Sequence, residues 1–139
     1  MGRSTHRLAL LVHGGAWAIP QQNTAATLAG IRAAALRGWG VLESGSAVDA
    51  VEAAVRVLED DPVFDAGRGS VLTEEGQVEM DAVIMDGRTL ETGAGAFDGS
   101  ICSSVTTCRR LMTGLAHDSR MHHGCTQPCL SGSGSDGTD

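Results

Sequence analysis

The run "SAVDAVEAAVRVLEDDP", Ser46 to Pro62, narrows the choice of fold more than any other stretch of the chain. Ser46 is a good N-cap residue, and Asp49, three positions on, completes a capping-box-like pair. Such a pair gives the free N–H groups at a helix start their side-chain acceptors. Val48, Val51, Val55 and Leu58 then recur at helical spacing as one apolar face, with Ala47, Ala50 and Ala54 beside it. Asp60, Asp61 and Pro62 end the pattern, because proline lacks the N–H that a further turn would need.

A second helical pattern precedes it. Over Gln21 to Ser44, Leu28, Ile31, Ala35, Trp39 and Leu42 recur at three- and four-residue steps and share a face. Gly30, Gly38 and Gly40 weaken this helix, each by about 1 kcal/mol relative to Ala, which close packing against a neighbour would offset. Two Ala-rich helices in tandem predict a helical layer lying close against a sheet. The sheet has three sources. Leu8 to Val12 is an aliphatic run opening into "HGG", which predicts a buried strand. Ser70 to Leu72 and Gln77 to Met85 predict strands joined by "TEEG". In the second of these, Val78, Met80, Ala82 and Ile84 face one way and Glu79, Asp81, Val83 and Met85 the other. Both faces turn apolar at the end, as in a sheet covered on both sides. Asp86-Gly87 signals a turn, and Thr89 to Phe97 the returning strand.

Composition excludes several function classes. A net charge of −7 argues against a phosphate-backbone partner, so no nucleic acid is expected. All ten basic residues are Arg, which rules out a lysine-bearing phosphate loop and any Schiff-base chemistry. No apolar run approaches the roughly eighteen residues of a membrane span. "LALLV" is too short for a signal-peptide core, and a cytoplasmic location without membrane contact is expected.

The character of the chain changes after Phe97. Residues 98–139 hold all four cysteines and end in Ser/Gly repetition, which predicts a poorly ordered tail separate from the 1–97 part. Cys102, Cys108, His117, His122, His123, Cys125 and Cys129 invite a zinc reading. The Cys102 to Cys108 spacing is wider than close ligand pairs use, and a packed element to hold it is not evident.

Two stretches of the 1–97 part carry candidate chemistry. "HGGA", His13 to Ala16, lets a ligand approach the backbone or presents N–H groups to an anion, though a plain strand-exit turn explains it as well. "LEDDPVFDAGRG", Leu58 to Gly69, concentrates carboxylates and main-chain carbonyls in one tight excursion. Oxygen of that kind suits hard cations, but the spacing is not that of an EF-hand. No Ser-His-Asp or Cys-His arrangement follows from spacing, and Ser70 is not in a nucleophile elbow.

"LLVHGGAWAIP", "SAVDAVEAAVRVLEDDPVFDAGRGSVLTEEGQVEMDAVIMDG" and "TGAGA", in that order, resemble the plant-type L-asparaginase/isoaspartyl peptidase family of N-terminal-nucleophile hydrolases. The likeness covers about residues 7 to 97; glycosylasparaginases share the "MDG" to "GA" end but match "HGGA" less well. The resemblance implies an α/β fold, here part of a four-layer α-β-β-α sandwich. It also implies self-cleavage of a longer precursor that frees an N-terminal Thr as nucleophile, with L-asparagine and β-aspartyl dipeptides as substrates. Carried over by position, the backbone carbonyls of Leu58, Glu59, Asp61, Phe64, Ala66 and Arg68 surround a structural Na⁺, and His13, Gly14 and Gly15 lie beside the active site. Asp65 stands where the family commonly has Asn, and an ionised carboxylate accepts hydrogen bonds but donates none.

The "TVG"-like stretch bearing the nucleophile has no counterpart here. Thr106, Thr107 and Thr138 lack its context, so the resemblance implies no catalytic residue within these 139 residues and no activity for them alone. The family continues after "GAGA" into an amphipathic helix, which the Cys/Ser/His-rich stretch does not suggest. Pairing with a β-subunit or a full-length paralogue, or a zinc-binding tail, are the other roles open to such a chain.

Overall fold

The computed structural model describes residues 7–98 and 103–114. Its elements are a 3₁₀ turn Gln21–Asn23, helices α1 (Thr24–Leu42) and α2 (Ala47–Asp60), strands β1 (Glu79–Met85) and β2 (Thr92–Asp98), and helix α3 (Ser104–Met112). The result is mixed α/β, with the two strands forming an antiparallel hairpin in which Glu79 pairs with Asp98 and Met85 with Thr92.

Helix α2 begins as its sequence requires. The Ser46 hydroxyl accepts from the Asp49 N–H at 3.1 Å, and Asp49 Oδ2 accepts from the Ser46 N–H at 3.0 Å. Its two apolar stripes serve two neighbours. Ala50 and Ala54 are buried where α1 comes close, and a methyl group on Gly38 would lie 3.0 Å from both the Ala50 carbonyl oxygen and Ala54 Cβ. Val48 and Val55 pack instead against the core formed by Ile84, Val105 and Cys108, with Ala82, Phe97 and Met112 around it.

The buried face of α1 differs from the one its large residues predict. Thr27, Gly30, Ala34, Gly38 and Leu42 are buried, whereas Leu28 and Trp39 are exposed. Small residues win because the contact with α2 is made nearly backbone to backbone, and larger side chains at the seam would hold the helices apart. The packing that offsets the helix-weakening glycines is thus present at Gly30 and Gly38. Gly40 has nothing nearby.

Three further expectations are corrected. Leu8 to Val12 forms no strand, and Leu11 is 93% exposed. Among the described residues no strand lies beside it to take its N–H and C=O groups; Leu10 packs toward Gly38 of α1. The Ser70–Leu72 strand reduces to a single bridge between Leu72 and Val78. In β1, Met80, Ala82 and Ile84 turn inward as expected, but Val83 and Met85 stay exposed, so the hairpin is covered on one face.

The largest correction lies past Phe97. Residues 104–112 form an amphipathic helix docked on the hairpin, where the sequence reading expected a poorly ordered tail. Ser103 caps it by accepting from the Thr106 N–H, and Val105 and Cys108 are its buried contacts. Gly93 makes the docking close, since a methyl group there would fall 1.8 Å from the Cys108 carbonyl oxygen. Residues 115–139 lie outside the described residues.

Candidate functional site

Phe64 joins the two candidate stretches. Its side chain is 4% exposed, and its ring sits between Gly14 and Gly30. A methyl group on Gly14 would lie 3.0 Å from Phe64 Cε1, and one on Gly30 would lie 2.5 Å from Phe64 Cε2. The "HGG" segment therefore rests on the ring of the loop that follows α2, with Ile31 of α1 as the other wall. His13 is exposed and accepts a hydrogen bond from the Gly15 N–H through Nδ1 at 3.2 Å.

The loop itself is wound tightly. The Asp61 carboxylate accepts from the Val63 N–H at 3.0 Å, the Asp61 carbonyl from the Phe64 N–H at 3.2 Å, and the Glu59 carbonyl from the Arg68 N–H at 2.9 Å. Methyl groups on Gly67 and Gly69 would lie 2.5 Å from the Glu59 carbonyl oxygen and 2.3 Å and 2.4 Å from those of Pro62 and Phe64. Neither glycine position has room for a side chain. Two of the six expected carbonyls are thus held against glycines, that of Glu59 at Gly67 and that of Phe64, beside that of Pro62, at Gly69. The Ser70 hydroxyl, at the loop's end, is buried without a hydrogen-bond partner.

Asp65 is exposed and uses its carboxylate as an acceptor, from the Val71 N–H at 3.0 Å.

Glu59 has a second set of contacts that spacing did not reveal. Its side chain is buried, 5% exposed, and takes hydrogen bonds from Ser103 Oγ at 2.6 Å, Ser104 Oγ at 2.5 Å and the Val105 N–H at 3.0 Å. The signal was present: Ser103 with Thr106, followed by Val105, Cys108 and Met112, is a capped helix with one apolar face. Nearby, Arg109 of α3 forms ion pairs with Asp49 and Glu52 of α2. Its hydrogen bond to Glu52, then that to Asp49, raises its pKa above the ordinary guanidinium value. Burial pushes the Cys108 thiol up, and the thiol donates to the Ala82 carbonyl at 3.2 Å.

Of the residues weighed for zinc, only Cys108 is described. Among the described residues no group of three or more His, Cys, Asp or Glu could hold a metal. A groove of about 310 Å³ between α1 and α2 is lined by Arg37, Asp49, Glu52, Arg56 and Asp60 among others, and of the Leu58 to Gly69 stretch only Asp60 borders it. No described helix is long and apolar enough to cross a membrane.

A family model described as asparaginase matches residues 6–128, well past Phe97. The chain is 49% identical over 111 residues to a protein of Pyrococcus abyssi named plant-type L-asparaginase, covering 79% of this chain and 36% of that protein. It is 47% identical over 109 residues to a Danio rerio protein named isoaspartyl peptidase/L-asparaginase, covering 78% and 35%. The chain thus spans about a third of the length of the curated relatives it matches.

Proposed function

The chain belongs to the asparaginase family, and from that premise we propose that its residues supply the first-half scaffold of an L-asparaginase/isoaspartyl peptidase, acting in the cytoplasm. In this reading it forms part of a four-layer sandwich completed by a nucleophile-bearing segment with which it pairs. The substrates are L-asparagine and β-aspartyl dipeptides. The observation that carries the reading is the seating of Gly14 on the Phe64 ring, which brings the "HGG" segment against the carbonyl-rich loop. Hydrolysis needs the threonine whose α-amino group activates its own hydroxyl, and these 139 residues carry no threonine in that context.

The test measures ammonia release from L-asparagine by the 139-residue chain alone and by the chain co-expressed with the nucleophile-bearing remainder of the Pyrococcus abyssi relative. Release only in the second case is expected. Hydrolysis by the chain alone, rising with its concentration, would overturn the reading.

The carbonyls of Leu58, Glu59, Asp61, Phe64, Ala66 and Arg68 would hold Na⁺, whose contribution is to stiffen the loop. A ligand that binds only the folded state raises its stability by mass action. The melting temperature is therefore expected to be higher in sodium chloride than in choline chloride at equal ionic strength. Identical melting in the two salts would remove the ion from the proposal.

A further inference from the structure

We infer that Glu59 is a positioning residue that makes the loop after α2 and helix α3 open and close as one unit. It goes beyond the hydrolase reading and depends only on the geometry at this residue. One end of Glu59 holds the loop: its carbonyl accepts the Arg68 N–H at 2.9 Å. The other end holds α3: its carboxylate accepts from Ser103, Ser104 and the Val105 N–H.

Each side needs the other. A carboxylate taken out of water is costly unless donors replace its hydration, and here two hydroxyls and a main-chain N–H at a helix start do so. Helix α3 is nine residues long, too short to persist in water on its own, and this carboxylate satisfies the Val105 N–H of its first turn. If α3 lifts, Glu59 is left buried with unfilled acceptors. The relief is for its side chain to swing out to solvent, which twists the last turn of α2 and draws the carbonyl off Arg68. If the loop opens, the same residue shifts and the cap on α3 is lost.

The hydrogen bonds of Ser103 and Ser104 go to Glu59 and within α3, with none to the loop. That makes Ser104→Ala the informative change. It removes one hydroxyl and introduces no bulk. Hydrogen–deuterium exchange on the full chain reads the loop at Phe64, Arg68 and Val71, α3 at Thr107 and beyond, and α1 as internal reference. Losing one charge-assisted bond is expected to speed exchange about tenfold in α3 and in the loop together, with α1 unchanged. Acceleration confined to α3 would show a cap and nothing more, and would overturn the inference. Equal acceleration in α1, or no acceleration anywhere, would overturn it too.

Discussion

At the scale of single residues, Phe64 separates two glycines that look alike in sequence. Gly30 and Gly40 both lie inside α1, where alanine ordinarily gains about 1 kcal/mol. At Gly40 nothing lies within reach of an added methyl group, so Gly40→Ala should raise the melting temperature by several degrees. At Gly30 the methyl group meets the Phe64 ring at 2.5 Å, and overpacking of that kind costs about 1–3 kcal/mol. Gly30→Ala should therefore lower it. Thermal melts followed by circular dichroism decide the matter, and equal rises in both variants would remove Phe64 from the seat described. The sequence showed these glycines only as weak points in a helix. Which of them faces a ring depends on a loop more than thirty residues away, and no local pattern carries that.

At the scale of elements, the start of α2 was legible because a capping box is local chemistry, read from four consecutive residues. Asp49 is held down to a pKa of about 2, first by the Ser46 hydroxyl, then by the Ser46 N–H and Arg109. A carboxyl lowered in the folded state adds stability that is present above its unfolded pKa, near 4, and is lost as the pH falls toward 2. Its side chain is 38% exposed, so solvent screening keeps the contribution small. Ser46→Ala should cost about 1 kcal/mol near pH 5 and distinctly less at pH 2.5, read from urea midpoints at both. A difference that stays constant across the window would argue against this linkage. Helix α3 was missed for the opposite reason. Its N-cap, Ser103, is local, but the carboxylate that holds its first turn belongs to Glu59, more than forty residues earlier, and its Ser, Thr and Cys content looks like that of a loop. Composition weighed against it, and the spacing of Val105, Cys108 and Met112 was the better guide.

At the scale of the molecule, the asparaginase likeness identified the family, yet the expected strand at Leu8 to Val12 did not form. Five aliphatic residues suit a strand, but a strand also needs a neighbour for its backbone, and the described residues offer none. The hairpin has the same unmet requirement: both its edges are open among the described residues, and Val83 and Met85 are 66% and 56% exposed on its uncovered face. Such surfaces favour association. Sedimentation velocity on the 139-residue chain should show association that grows with concentration, and Val83→Lys should reduce it. Identical profiles for the two proteins would clear the hairpin of responsibility. The seat of α3 on Gly93 has a different consequence. There main chain touches main chain, so the height of the helix above the strand is set by atoms common to every amino acid. A side chain at position 93 would have to lift the helix off the strand, whatever the residues of α3 are.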